Sequence, residues 1–342
     1  MPRIAFFSQS VRRTVGAAFI AAVGLGAPAA HAEDREILNV SYDIARELYA
    51  AINPAFIKAW DEKSGDTLEV KQSHAGSSKQ ARAILQGLKA DLVTFNQVLD
   101  VDILAQRGFV AKDWQQALPN NASPYYSLPA FLVRGDNPKG IEDWDDLARE
   151  DVSIVFPNPK TSGNARYTYL AAYAYALDKF DGDDAQAQAF VKKILDNVVV
   201  FDTGGRGATT SFVERGLGDV LITFEAEVEN IRAAEEDGAY ARVVPPTSLL
   251  AEFPVAVVEK VAEDRGTTDV AKAYLEFLYT PEAQRIIASF NNRVQNPEVV
   301  QETADKFPQV DLYTVEDVFG GWAKAEETHF ADGGTLDTIL RN

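Results

Sequence analysis

The chain has 342 residues, 46% hydrophobic and 25% charged, enough to bury a sizeable core and to divide into two lobes, and too apolar for a disordered tail. Its 33 lysines and arginines stand against 51 aspartates and glutamates, a formal charge of -18, which argues against a protein whose main affinity is for phosphate backbones, so nucleic acid is not an expected partner. There is no cysteine, which removes disulfides, thiol nucleophiles and thiolate metal sites; with three histidines in all, neither a metal nor a cofactor is expected.

The first 32 residues read as a secretory leader. Arg3, Arg12 and Arg13 give a positive start, Val15–Ala30 is uncharged and apolar but short, and Ala30-His31-Ala32 supplies small residues for cleavage near Ala32–Glu33. The arginine pair in Ser10–Val15 (SVRRTV) raises a twin-arginine route, but the strongly apolar residues that route favours are missing, so ordinary export is expected. Cleavage leaves 310 residues outside the cytoplasm. With the three leader arginines gone, 30 basic residues face 51 acidic ones, a net of -21.

Downstream, short apolar or β-branched runs predict strands at Ile37–Ser41, Leu68–Gln72, Asp91–Phe95, Ser153–Phe156, Val198–Phe201 and Val220–Phe224. Amphipathic stretches between them predict helices at Ile44–Trp60, Ala165–Leu177, Ala185–Leu195 and Thr268–Tyr279. Such alternation implies an α/β protein with mostly parallel sheets. Leu118–Leu128 with the following Pro129–Val133, and Pro245-Pro246 with Phe253–Val258, mark two crossings between lobes.

Three strand-to-helix loops share one design: Ser73–Gln80 (SHAGSSKQ), Asn158–Arg166 (NPKTSGNAR) and Asp202–Thr210 (DTGGRGATT). In an open α/β sheet, ligands sit at the carboxyl ends of the strands, where helix amino termini offer unpaired N–H groups and a positive partial charge. Three such ends suit an anion, although serine, threonine, asparagine and glycine are also ordinary capping residues at these turns.

Signatures of catalysis are missing. The chain has no G-x-S-x-G, no G-x-x-x-x-G-K-[ST] and no G-x-G-x-x-G. Past the leader, His74 and His329 lie far apart in sequence, and His74 reads as a hydrogen-bonding residue of its loop. Asp143, Asp145 and Asp146 read as a solvated helical run; Tyr167, Tyr169, Tyr173 and Tyr175 read as core.

Asn158–Arg166 also resembles the signature of the bacterial periplasmic sulfate-binding proteins, the solute receptors of sulfate and thiosulfate ABC importers. Leu38–Asp43 (LNVSYD), Arg46–Tyr49 (RELY), Gln72–Ala81 (QSHAGSSKQA), Phe212–Ile222 (FVERGLGDVLI) and Val318–Thr335 resemble the same family in the same order. The resemblance implies a two-lobed periplasmic binding protein fold with the ligand in the interlobe cleft. Lobe I would comprise residues 33–125 and 250–342, with a C-terminal segment able to pack on both lobes, and lobe II residues 126–249. It also implies a monomer that hands its anion to a membrane permease and ATPase.

Carried over by position, the anion's ligands would be the Ser77 hydroxyl and N–H, the Ser162 hydroxyl, and the backbone N–H groups of Gly163, Asn164 and Gly205. Arg166 and Arg206 would stand behind them, and Asp43 and His74 would tie the loops. No cationic side chain would touch the anion, which suits a dianion satisfied by preformed N–H dipoles. A pocket made only of donors leaves the proton of phosphate unpaired, so sulfate is expected to bind and phosphate not. The sequence departs from the family at Phe224, where relatives place a tryptophan whose indole N–H reaches the anion; Asn164 replaces a glycine and Gly205 an alanine. The stretches Phe95–Asp100 (FNQVLD) and Phe290–Pro297 (FNNRVQNP) also differ. Phe224 keeps thiosulfate or another tetrahedral oxyanion open as the ligand. An ester hydrolase built on Ser77 or Ser162 with His74 as base is the more distant alternative.

Overall fold

A computed structural model describes residues 34–341; the leader expected over residues 1–32, with its cleavage site, lies outside the described residues. Two main sheets organise the chain. The first contains β1 (Asp34–Ser41), β2 (Thr67–His74), β3 (Leu92–Thr94) and a later strand, Val255–Val257. β1 lies between β2 and β3, parallel to both, with Asp34 opposite Thr67 and Ser41 opposite His74. The helix Arg46–Ser64 makes the first crossover and buries Leu48, Tyr49, Ile52 and Phe56. Gly65, in the left-handed region at φ 76°, ends it.

The chain then enters a small antiparallel sheet through β4 (Tyr125–Ser127) and passes at once into β5 (Pro129–Arg134), the first strand of the second large sheet. That sheet also contains β6 (Ile154–Pro157), β7 (Val198–Asp202), β8 (Val220–Phe224) and β9 (Tyr240–Val243), in the order β7-β6-β8-β5-β9. β6 is parallel to both β7 and β8, whereas β5 is antiparallel to β8 and β9. β6, β7, β8 and β9 run in one direction, each after a helix, and β5, reached directly from the first lobe, runs against them.

After β10 (Thr247–Leu249) the chain returns through β11 (Ala251–Glu252) to β12 (Val255–Val257), antiparallel to β3 at the edge of the first sheet. It later forms β13 (Arg293–Val294), crosses a third time, and pairs β14 (Asp311–Tyr313) with β10. The tail from there packs on the second lobe: Trp322 meets Tyr167 edge-on, His329 is enclosed by Tyr169, Tyr173 and Phe319, and Lys160 pairs with Asp337. Residues 311–341 thus take their strand partner and aromatic anchors from lobe II, while Trp322–Ala325 also lies against the first-lobe helix Val98–Gln106. Apolar and aromatic side chains on that segment need a partner, and the Gly163–Lys179 helix supplies it with a continuous buried face of tyrosines and alanines.

Tyr167, Tyr169 and Tyr173 are buried in this helix and Tyr175 is half-buried. Asp143 and Asp146 are not merely solvated. They form a reciprocal cap on a single-turn helix, Trp144–Leu147, with Asp143 accepting from the Trp144 N–H at 2.7 Å and Asp146 from the Asp143 N–H at 3.2 Å.

Candidate anion site

Three helices begin at the carboxyl ends of strands and point their amino termini into the cleft between the lobes. Ser77–Leu85 follows β2, with Gly76 as its N-cap. Gly163–Lys179 follows β6, capped by Ser162, whose hydroxyl accepts from the Ala165 N–H at 3.4 Å. Gly205–Val213 follows β7, capped by Gly204 without a side-chain hydrogen bond. The first N–H groups of each helix have no partner within it, so all three ends carry free donors and a positive dipole end.

Close contacts bring these ends together. A Cβ added at Gly163 would lie 2.7 Å from Asn96 Oδ1 and 3.0 Å from Gln97 Cβ, so only glycine lets the second lobe's helix approach the first lobe's loop this closely. At Gly204 an added Cβ would stand 3.0 Å from Asp43 Oδ2. The same position on Gly205 is 3.9 Å from Asn164 Nδ2 and 3.6 Å from Ile44 Cγ2. These contacts join residues of both lobes, so the cleft is closed.

Ser77 and Ser162, 1% and 5% exposed, both lie in this buried zone. The Ser77 hydroxyl donates to Asn96 Oδ1 at 2.6 Å and accepts from the Asn96 N–H at 3.3 Å, so its proton is directed at a neighbouring amide. Asn164 is buried and donates from Nδ2 to Thr223 Oγ1 at 2.9 Å. Phe224 is 1% exposed, edge-on to Phe253 and Tyr167 at 5.3 and 6.0 Å, and lines a cavity of about 20 Å³ with Tyr42, Ile44, Glu227 and Asn230.

The supporting residues divide. His74 ends β2, its Nδ1 2.9 Å from the Tyr42 carbonyl and its Nε2 2.6 Å from the Gln72 side-chain oxygen; burial pushes its pKa down, towards the neutral ring. It thus ties β2 to the loop after β1, where Asp43 accepts from the Ile44 N–H at 3.1 Å. Arg166 turns towards the tail: Nε donates to the Pro159 carbonyl at 3.1 Å, one terminal nitrogen pairs with Glu326 at 3.1 Å, and the guanidinium lies 5.3 Å from the Phe330 ring. Arg206 reaches across the lobes to Glu47 at 3.2 Å on the exposed surface. Both guanidinium groups are thus engaged by carboxylates.

Four residues at the cleft escape a reading by sequence. Asn96 and Gln97 sit in the stretch that differs from the family, and no pattern marks them as facing a glycine of the other lobe. Asp100 is buried in the first turn of the helix Val98–Gln106, and burial pushes its carboxyl up to about 6. Glu227, on the helix Glu225–Ala234, accepts from the Thr209 hydroxyl at 3.0 Å; burial, opposed by that bond, pushes its carboxyl up to about 7. Glu225-Ala226-Glu227 reads as an acidic helix start, with nothing to show that one carboxylate faces the cleft. Among the described residues no cluster of histidine, aspartate and glutamate is arranged to hold a metal ion.

Helix amino termini converging in a closed cleft between two α/β lobes define a ligand receptor, and comparison with known proteins agrees. The profile of the bacterial extracellular solute-binding protein family matches residues 42–290. The chain is 58% identical to the thiosulfate-binding protein of Escherichia coli (strain K12) over 315 residues, covering 91% of this chain and 93% of that one. It is 48% identical to the sulfate-binding protein of the same organism over 319 residues, covering 93% and 96%. Among solved structures, the sulfate-binding protein SubI from Mycobacterium tuberculosis H37Rv superposes with a TM-score of 0.78 at 34% identity, over 86% of this chain and 99% of that one. The chain belongs to the bacterial extracellular solute-binding protein family.

Proposed function

We propose that this protein is an exported, periplasmic receptor that captures a tetrahedral sulfur oxyanion, sulfate or thiosulfate, between its lobes and delivers it to the permease and ATPase of an ABC importer, with no chemistry of its own. The observation that carries the reading is the meeting of three helix amino termini, at buried Ser77, Gly163 and Gly205, with the guanidinium groups of Arg166 and Arg206 turned to Glu326 and Glu47. The ligands proposed are the N–H groups of Ser77, Gly163, Asn164 and Gly205 with the hydroxyls of Ser77 and Ser162. Engaging the Ser77 hydroxyl requires its proton to turn from Asn96. Relatives named for sulfate and thiosulfate binding support the ligand class, and their names as binding proteins support a non-enzymatic role.

Phe224 favours thiosulfate as the better ligand. The ring gives the anion an apolar neighbour and no donor, which suits a sulfur atom better than an oxygen. Two relatives named thiosulfate-binding proteins, at 58% and 48% identity, fit that preference. Calorimetric titration of the chain from Glu33 with sulfate, thiosulfate, phosphate and molybdate at one ionic strength tests the proposal. One-to-one binding of sulfate or thiosulfate with no heat from phosphate is the expected result; heat from phosphate alone refutes it.

A further inference from the structure

Gln97 is fully buried, and its amide is divided between a satisfied oxygen and an unsatisfied nitrogen. Oε1 accepts from the Leu99 N–H at 3.3 Å, capping the helix Val98–Gln106, and this fixes which end of the amide is free. Nε2, with two N–H donors, has no acceptor among the described residues. A buried donor left unpaired is unfavourable, and native structures rarely keep one without a partner to come. Its location narrows what that partner is. Gln97 Cβ is 3.0 Å from the point where a Cβ on Gly163 would stand, so the residue lies beside the helix amino terminus that offers the Gly163 and Asn164 N–H groups.

We infer that Gln97 Nε2 is a further ligand of the bound oxyanion, a side-chain donor supplied by the first lobe. The inference rests on the reading of the cleft as a sulfate or thiosulfate site. Two features leave the cleft with few ready side-chain donors: the Ser77 hydroxyl donates to Asn96 Oδ1 and must turn from it to reach an anion, and Phe224 of the second lobe offers none. An amide nitrogen restores one. It also couples binding to closure, because the second lobe's helix stands against Gln97 when the cleft shuts and removes its amide from water. An anion is the acceptor that offsets this loss, so closure is favoured when the ligand is present.

The test is titration of the wild-type protein and of Gln97→Leu and Gln97→Glu with sulfate and thiosulfate, together with the melting temperature of each ligand-free protein. Leucine removes both donors together with the cap on the Leu99 N–H; the expected result is an affinity lower by about tenfold or more, as for loss of a hydrogen bond to a charged group, with a ligand-free melting temperature lowered by the lost cap, whereas Gln97→Glu keeps the capping oxygen and that temperature. Gln97→Glu keeps the shape and places a carboxylate before the anion, and should bind more weakly still. Wild-type affinity in Gln97→Leu overturns the inference, as does a fall in melting temperature with affinity intact, which marks a purely structural residue. Failure of the wild-type protein to bind either anion overturns the receptor reading itself and the inference with it.

Discussion

The two walls of the cleft are built differently. The second lobe contributes Ser162-Gly163-Asn164 and Gly204-Gly205, small residues that bring backbone N–H groups forward at two helix ends. The first lobe contributes one helix end at Ser77 and otherwise side chains: Asn96, Gln97, Asp43 and Asp100. Backbone donors are lost only on substitution by proline or blocked by a Cβ, whereas side-chain donors are removed one at a time by most substitutions. If the cleft binds an anion as proposed, the second wall holds it mostly by main-chain donors and the first wall by donors that can be removed singly.

Gly163→Ala should break this arrangement most severely. Its methyl would sit 2.7 Å from Asn96 Oδ1 and 3.0 Å from Gln97 Cβ, and neither neighbour is free to swing, being 4% and 0% exposed. Overpacking of about 1–3 kcal/mol corresponds to a roughly 5- to 150-fold loss of affinity, read by calorimetry, with scattering showing a cleft that stays open. Gly76→Ala is the matched control on the other wall. A Cβ there meets only Thr161 O at 3.7 Å, an ordinary contact, so near wild-type affinity is expected.

Ser162→Ala comes next. It removes the cap on the Ala165 N–H, worth about 0.5–2 kcal/mol, together with a proposed anion contact, so both the melting temperature and the affinity should fall, the latter by about tenfold. Ser77 is not the cap of its helix, that place being taken by Gly76. Ser77→Ala instead removes both hydrogen bonds that its buried hydroxyl makes with Asn96, so the melting temperature should fall along with the affinity; wild-type affinity in this variant would remove the Ser77 hydroxyl from the proposed ligands.

The same difference decides how much of the site could be read from sequence. The three glycine- and serine-bearing loops were legible because helix starts after strands have a local signature, and the strands and helices predicted around them match the observed ones closely. The antiparallel course of β5 and β12 and the docking of residues 311–341 on the second lobe depend on crossings between lobes, which hydrophobic periodicity does not record. Gln97, Asn96 and Glu227 are invisible for a related reason: their roles arise from contact with the opposite lobe or from burial against it, and neither leaves a mark on neighbouring residues. Arg166 and Arg206 stand at similar places in their loops, yet only the structure shows one half-buried against the tail and the other on the surface.

Acid–base behaviour separates the cleft from the tail. Glu227 has an ordinary value of 4.5 when solvated and is pushed up to about 7 by burial, so between those values the folded protein holds a proton that the unfolded chain has lost. Its contribution to stability is present below about 4.5 and declines as pH rises towards 7; Asp100, pushed up to about 6, acts in the same sense. His329 behaves oppositely. Burial pushes it down from 6.5 to about 4, so its contribution is present above 6.5 and is lost as pH falls through that window. Chemical denaturation from pH 4 to 8 should show Glu227→Gln weakening the decline at rising pH while leaving the acid loss due to His329 in place. A variant profile parallel to wild type would mean that Glu227 is solvated in the folded protein.

The smallest effect should come from Arg206→Ala. Arg206 and Glu47 pair across the lobes at 3.2 Å, but their side chains are 54% and 57% exposed, and exposed pairs contribute about 0–1 kcal/mol. The expected loss of affinity is less than about fivefold, and it should shrink further as salt screens the pair. Arg166, only 13% exposed and held by Glu326, Pro159 and Phe330, is the contrasting case: its removal should loosen the tail and lower the melting temperature. The comparison bears directly on how the anion is neutralised. If helix ends, hydroxyls and an amide suffice, Arg206→Ala binds almost as well as wild type at every ionic strength. A loss of a hundredfold or more that persists in high salt would place a cation in the anion's immediate shell and replace the donor-only account of the cleft with an electrostatic one.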